Sequence, residues 1–463
     1  MTADIVLSII KDHFTTALFF IILLALLFST LYFLIYKKLL KGTANLSIKP
    51  TVVTFMLIGY LMMVAGVTIF NRSPYMMGSM DLTLFGSYIE AWNDFSVKNW
   101  QYVILNIVMF LPLGILLPLL HDRFKKTIWT IAAALLLTLS IETFQYFTGL
   151  GVFEFDDLFN NTLGAIIGYG LTMSILKLWN KRFLQAVGYL SPLLLTSLAF
   201  GIIFFTYSLK EFGNLSIVPN HKVDMNEVTV ILDLDVILEE TNQIPASVYK
   251  VTPYSEQEAK EFAESFFEQM DVDTSDMDVN RDAETGFFST QGDPGYSLWF
   301  EFMDGSYNLN NYYFEEDIQR IDTDESKLLN ELNRFGITLP ETSELHHLGP
   351  GEYEWKTHLY EMGNQLIDGT LTVEYFSDDT IKRINHSMIT YDKVTDKSIK
   401  TKQQAFNQLM EGSFDWGEGD INKIEVKDLE LTYFLDSKGF YQPVYSFKSI
   451  INGSDNEILI PAL

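Results

Sequence analysis

The sequence predicts an α-helical membrane bundle of about six transmembrane helices, followed by an α+β extracytoplasmic domain built from helix-plus-antiparallel-strand repeats. Apolar runs dominate the first part of the chain, whereas short amphipathic helices alternate with strand-like segments in the second. Charge divides in the same place, because residues 1–210 hold 14 basic and 10 acidic residues and the remainder holds 18 and 49. We therefore expect a membrane domain at 1–207 and an acidic domain at 208–463.

The membrane domain rests on apolar stretches that match the thickness of a bilayer, which takes about 20 residues per helix. The first stretch is too long for a signal peptide and no small-residue cleavage site follows it, so we interpret it as a retained helix. The predicted spans are Phe14–Tyr36, Val52–Phe70, Trp100–Leu120, Ile128–Phe147, Leu158–Trp179 and Leu184–Tyr207.

Orientation follows from the loops that carry Lys and Arg. Ten basic residues lie in the loops after the first, third and fifth spans, against four on the opposite side. Since basic loops stay in the cytoplasm, this pattern predicts a multi-pass protein of the cell membrane with both termini extracytoplasmic. The acidic domain is then also extracytoplasmic.

The chain contains no cysteine, which excludes disulfides and thiol nucleophiles. A large extracellular domain without disulfides is typical of a Gram-positive bacterium. The net charge of −27 repels phosphate, so nucleic acid is not expected as a partner. Neither a P-loop, a Ser-His-Asp pattern, a Gly-rich dinucleotide turn nor a spaced set of metal ligands is recognised, and no cofactor, metal or catalytic residue is assigned.

Polar side chains cluster around the third, fourth and fifth spans. Because an ionisable group within a span is costly, such residues indicate a functional site. Two of these residues, Glu142 and Gln145, are three positions apart in the fourth span and therefore lie on one face of that helix. We expect a ligand-binding pocket at the outer leaflet, formed by these three spans. Its candidate residues are Asn106, Glu142, Gln145, Asp156, Asp157 and Asn161.

Four of the candidate residues also have a structural interpretation. Asn106 is of a type that often bonds neighbouring helices, and Glu142 can extend to the interface. Asp156 and Asp157 can belong to a solvated loop or cap the fifth span. The constellation supports a site more strongly than any single member does.

Four segments resemble the VanZ-like family of bacterial membrane proteins. They are DLTLF (81–85), the run from Asn106 through Pro112-Leu113-Gly114, the pair Glu142-x-x-Gln145, and FEFDDLFNNTLGAIIG (153–168). The resemblance implies an association with glycopeptide and lipoglycopeptide (teicoplanin-like) resistance, although the family has no firmly assigned reaction.

One departure from the family pattern concerns charge. The family usually has an Arg shortly before the acidic motif, where this chain reads Gly149-Leu150-Gly151-Val152. A mechanism that needs this Arg is therefore in doubt. Arg72, in the preceding outer loop, is a candidate to replace it in space.

The acidic domain shows three helix-plus-strand units. Capping boxes at Ser255 and Thr401 open the first and third helices, and Thr323 or Asp324 opens the second. Strand-like segments follow each helix, which predicts helices packed on antiparallel sheets. This rhythm loosely resembles PepSY-like or cell-wall regulatory ectodomains.

The favoured function is a non-enzymatic factor for resistance or envelope homeostasis. It would bind a membrane lipid, a lipid-linked cell-wall intermediate or a lipoglycopeptide in the pocket. One alternative is an enzyme on a lipid-linked precursor, with Glu142 as acid or base and Asp156 and Asp157 holding Mg²⁺. It is less favoured because few basic residues are available to grip pyrophosphate. Another alternative is an extracytoplasmic sensor that acts through an envelope protein partner.

Overall fold

The structure is a computed structural model. It describes residues 30, 32, 37–39, 41, 47–70, 72, 74, 78–233, 236–238, 245–292, 295–311, 318–417 and 419–463. They form two compact units. The acidic unit comprises Glu211–Leu463 with Trp92–Val97, and the helical unit comprises Lys98–Lys210 and the described residues up to Ala91.

Within the described ranges, the helical unit contains five helices long and apolar enough to cross a membrane. The helices that lie wholly or mainly in it are α1 (Ile48–Ala65, extended by a π-helical turn at Gly66–Phe70), α2 (Gly86–Asp94), α3 (Val97–Leu120), α4 (Thr127–Thr148), α5 (Phe155–Trp179), α6 (Phe183–Tyr189) and α7 (Ser191–Leu209). All except α2 and α6 are candidate spans. They confirm the predicted membrane helical bundle.

The predicted spans and the observed helices differ in three places. The predicted first span, Phe14–Tyr36, lies outside the described residues except at positions 30 and 32. The predicted last span, Leu184–Tyr207, is divided between α6 and α7. Pro192 lies in the first turn of α7, where its missing N–H costs no helical hydrogen bond. Helix α2 was not predicted, since it is short and polar for a membrane segment.

The core of the helical unit brings α1, α3, α4 and α5 together around Phe110, which is fully buried. Helices α3 and α5 make the closest backbone approach. A Cβ atom on Gly164 would overlap the Ile107 carbonyl oxygen, and one on Gly168 would overlap that of Leu111. The two glycines therefore form a small-residue face on α5 that lets α3 approach closely. By contrast, α7 has no buried residue, and several of its apolar side chains are exposed, as lipid contact requires.

Among its described residues, the acidic unit contains three helices, α8 (Glu256–Gln269), α9 (Glu325–Arg334) and α10 (Lys402–Met410). Ser255 and Thr401 form complete capping boxes, and the side chain of Asp324 accepts a hydrogen bond from Lys327 N. All three predicted helix starts are therefore confirmed, with Asp324 rather than Thr323 as the cap of α9.

Antiparallel strands follow each helix, as the sequence predicts. Two strands, β3 (Thr229–Leu232) and β4 (Pro245–Lys250), precede α8. The strands after α8 are β5 (Asp278–Arg281), β6 (Thr285–Ser289), β7 (Tyr296–Glu301) and β8 (Tyr307–Asn311); those after α9 are β9 (Glu344–Gly349), β10 (Glu352–Met362), β11 (Gln365–Tyr375), β12 (Ile381–His386) and β13 (Ile389–Ser398); those after α10 are β14 (Lys423–Leu435), β15 (Phe440–Ile451) and β16 (Ser454–Pro461).

These strands join in one hydrogen-bonded network of 14 strands. Strand β4 joins the two parts of this network, because it pairs antiparallel with β13 on one side and with β15 on the other. One core packs α8 and α9 on the strands from β6 to β12, around Phe267 and Trp355. A second core packs α10 on β14, β15 and β16, around Phe447. The unit is thus an α+β domain with its helices packed on one extended sheet.

Candidate ligand-binding site

Two short strands bring separate motifs together at the end of the bundle where α4 ends and α5 begins. They are β1 (Met80–Asp81) and β2 (Phe153–Glu154), which lie in the helical unit and pair in parallel, Met80 with Phe153 and Asp81 with Glu154. The DLTLF and FEFDD segments are 71 residues apart at Phe85 and Asp156, yet these two residues share a hydrogen bond. The DLTLF and FEFDD segments, which are far apart in the sequence, therefore lie side by side in the fold.

A polar cavity of about 690 Å³ lies beside this pair of strands. Asn106 reaches it from α3 and donates a side-chain hydrogen bond to Asp157 Oδ1 at the start of α5. Asn160 Oδ1, one turn further along α5, accepts a hydrogen bond of 2.5 Å from the Tyr88 hydroxyl of α2. The lining residues are Arg72, Ser87, Glu90, Asn99, Tyr102, Val103, Asn106, Val152, Glu154, Asp157 and Asn160.

Charge in the polar cavity is mixed but acidic. Three carboxylates line it, those of Glu90, Glu154 and Asp157, and Arg72 is the one cation among the described lining residues. Burial raises the pKa of Glu154 to about 7, and the Asp157 carboxylate adds to the rise. At neutral pH the cavity can therefore exchange a proton at Glu154.

Arg72 occupies the neighbourhood of the segment in which the family usually has an Arg. Its Nη1 donates to Leu150 O at 3.5 Å. A Cβ atom on Gly151 would lie 2.8 Å from that same nitrogen, so glycine at this position leaves room for the guanidinium. Arg72 thus supplies a cation to the polar cavity from a different part of the chain.

Asp156 faces away from the polar cavity and fixes α2. It is 3% exposed, and its Oδ1 accepts a 2.6 Å hydrogen bond from Phe85 N. Its Oδ2 accepts from Ser87 N at 2.8 Å and from Ser87 Oγ at 2.6 Å. A carboxylate that accepts these donors caps the N-terminus of α2 and complements its dipole.

The three remaining predicted site residues are buried among the helices. Glu142 Oε2 accepts a 3.3 Å hydrogen bond from Glu154 N, which positions β2. Gln145 Nε2 donates to Thr68 O at 2.9 Å in the π-helical turn. Asn161 Nδ2 donates to Thr138 Oγ1 at 2.8 Å and so joins α5 to α4. These side chains support the cavity rather than line it.

Two of the six predicted site residues, Asn106 and Asp157, therefore line the polar cavity. The predicted set did not contain Arg72, Ser87, Glu90, Asn99, Tyr102, Glu154 or Asn160. Residue spacing could have indicated two of these lining residues, because Asn99 and Tyr102 lie on the same face of α3 as Asn106. Ser87 and Glu90 lie on α2, a helix that was not predicted. No described lining residue comes from α4, although a contribution from the fourth span was expected.

The apolar helices and this polar end define a class: a membrane protein that carries a polar cavity at one end of its helical bundle. Residues 51–178 match the VanZ/LLP1 family model, so the chain carries a VanZ-like membrane domain. All four resembling segments lie within the matched range.

Comparison with solved structures gives similarities of low score. An uncharacterized protein from Eubacterium rectale is 11% identical, with 51% of this chain and 87% of that chain covered and a TM-score of 0.23. The YpeB C-terminal domain of Bacillus megaterium is 12% identical, with 45% and 93% covered and a TM-score of 0.21. TM-scores this low do not establish a shared fold. No curated protein matches the chain.

Proposed function

We propose that this VanZ-like membrane protein binds the polar head of an amphiphile in the polar cavity and thereby serves lipoglycopeptide resistance or envelope homeostasis. The ligand is a membrane lipid, a lipid-linked cell-wall intermediate or a lipoglycopeptide. One observation carries the proposal: a cavity of about 690 Å³ with charged and amide side chains lies at the end of apolar helices. An amphiphile fits this arrangement, because its chain can stay in lipid while its head enters the cavity.

The charge of the polar cavity favours some heads over others. Three carboxylates and one guanidinium line it. A bare diphosphate needs several cationic donors, whereas hydroxyl and amine groups bond well to carboxylates and amides. Sugar-bearing or amine-bearing heads, such as those of lipoglycopeptides, are therefore favoured over an exposed diphosphate.

The proposed orientation places the polar cavity at the outer leaflet. Lys125 and Lys126 lie between α3 and α4. Lys177 lies in the last turn of α5, and Lys181 follows that helix. All four lie at the end of the bundle away from the α4–α5 connection. Basic residues of this kind stay in the cytoplasm. The polar cavity and the acidic unit would then face outward, where an envelope protein partner is accessible.

Drug susceptibility tests this function. The wild type, Asp157→Asn and Arg72→Gln would be expressed at equal membrane levels in a sensitive Gram-positive host. Asp122→Asn is the matched control, because Asp122 is exposed and precedes α4 rather than lining the cavity. We expect the wild type and the control to raise the inhibitory concentration of teicoplanin, and both cavity variants to lose this effect.

Other outcomes separate the alternatives. If both cavity variants protect as well as the wild type, the polar cavity does not act in resistance. If the wild type gives no protection, resistance is not the function of this chain.

Metal-dependent turnover of a lipid-linked precursor by purified protein would indicate the enzyme. The structure does not favour the enzyme's Mg²⁺ pair, since both oxygens of Asp156 already accept hydrogen bonds from Phe85 and Ser87. Protection that survives deletion of 211–463 would exclude the sensor.

A further inference from the structure

A second cavity lies within the acidic unit, and nothing in the proposed function uses it. It has a volume of about 470 Å³ and opens between α8, the end of α9 and the strands β8, β12 and β13. Six of its lining side chains carry rings. They are Tyr254, Phe262, Phe266, Tyr307, Phe335 and His386. We call it the aromatic cavity.

The rings of the aromatic cavity pack into a wall in which Phe300 joins Tyr254 to Phe262. Tyr307 stacks on His386 with ring centroids 4.8 Å apart and planes 3° from parallel. Phe262 contacts Tyr307 at 5.3 Å, and it contacts Phe300 at 5.0 Å. Tyr254 meets Phe300 edge-on at 5.1 Å and is 40% exposed. Aromatic surface therefore remains accessible at the cavity mouth.

One carboxylate stands beside this wall. Among the described lining residues, Asp304 is the one charged side chain, and no Lys or Arg accompanies it. Its Oδ1 accepts hydrogen bonds from Ser306 N at 2.9 Å and Ser306 Oγ at 2.7 Å, which fix the carboxylate in place. Burial lowers the pKa of His386, so its imidazole is neutral at pH 7 and adds no positive charge.

A fixed carboxylate beside accessible aromatic faces is the chemistry that recognises an organic cation. The ring quadrupoles attract positive charge, and Asp304 supplies a countercharge that no cavity residue neutralises. The acidic surroundings act in the same direction, because residues 211–463 hold 49 acidic and 18 basic residues. An anionic ligand would meet repulsion in the same place.

We propose that the aromatic cavity binds an alkylammonium group. Tyr254 and Phe262 provide the aromatic faces, and Asp304 provides the countercharge. This site is distinct in residues from the polar cavity, so either proposal can fail without the other.

Choline and 3,3-dimethyl-1-butanol are suitable probes, because they have the same shape and differ in charge. Their binding to the full chain in a non-ionic detergent would be measured by titration calorimetry and saturation-transfer NMR. We expect choline to bind at least about tenfold more tightly than the alcohol. Equal affinity for the two probes, or no choline binding to the wild type, would overturn the proposal.

Variants test the two parts of the site. Asp304→Asn keeps an oxygen for the Ser306 bonds but removes the charge, and should weaken choline binding about tenfold without changing binding of the alcohol. Phe262→Leu keeps an apolar side chain but removes a π-face, and should weaken choline binding about fivefold. Asp420→Asn, on an exposed loop outside the cavity, is the matched control and should bind as the wild type does. Unchanged choline affinity in Asp304→Asn, with the same melting temperature as the wild type, contradicts the assignment.

Discussion

The cap that Asp156 provides for α2 gives the sharpest structural prediction. Asp156→Asn keeps the size of the side chain but leaves one acceptor oxygen instead of two. Its amide nitrogen must then face either Phe85 N–H or the Ser87 donors, because both carboxylate oxygens are used in the wild type. Phe85 also has φ of 66°, a conformation that costs free energy in a bulky residue and needs local support.

The expected loss follows from these contacts. A hydrogen bond to a charged group contributes about 1.5–3 kcal/mol, and an unsatisfied buried donor adds about 1–3 kcal/mol. These contributions do not add fully, so we expect a local destabilisation of about 3 kcal/mol. This corresponds to an increase of about a hundredfold in the population of the opened α2 start.

Hydrogen exchange of the full chain in detergent measures this opening directly. The amides of Phe85 and Ser87 should exchange about a hundredfold faster in Asp156→Asn than in the wild type. Asp81→Asn is the control, since Asp81 is exposed and accepts a single 2.8 Å bond from Thr83 N. In Asp81→Asn, the exchange rates of the same two amides should rise only by a small factor. Unchanged exchange at Ser87 in Asp156→Asn would falsify the capping role, whatever the effect on melting temperature.

Three further predictions concern packing, pH and capping. Gly164→Ala should lower the melting temperature of the helical unit, because the new methyl group overlaps the Ile107 carbonyl, whereas Gly201→Ala, with open space around it, should leave it unchanged or raise it slightly. The stability of the wild type should fall as pH rises from 4.5 to about 7, because folded Glu154 keeps a proton that the unfolded chain has lost; thermal melts of Glu154→Gln should show a smaller decline. Thr401→Ala should destabilise the acidic unit by about 1 kcal/mol in calorimetry and Thr401→Ser should not, so equal melts of the two variants would contradict the capping box.

Local signals predicted much of this fold. Span positions depend on runs of apolar residues, and the starts of α8, α9 and α10 depend on residues three positions apart. Such features are complete within a short segment, which is why sequence reveals them. The break before α7 also has a local signal in Ser191-Pro192, which the interpretation as one long span overlooked.

Other features depend on partners far away in the chain. The strands β5, β8 and β9 have a weak alternation of apolar and polar residues, so their sequence alone does not indicate them and pairing with neighbouring strands stabilises them. At the site, adjacent residues Asp156 and Asp157 have opposite roles, the first as a cap and the second in the polar cavity. The two roles differ because the start of α2 packs against Asp156 and not against Asp157. No pattern in the sequence predicts where α2 lies.

The pairing of β3 with β14 imposes an order on the biogenesis of the acidic unit. It is a parallel pair in which Thr229 lies opposite Lys423. The strand that emerges first from the ribosome must therefore wait for almost the whole remaining domain before its partner exists. Contacts so distant along the chain slow folding and leave an unpaired strand edge in the nascent protein. A premature stop before β14 would leave β3 without this partner, and we expect such products to depend on chaperones or proteases at the membrane.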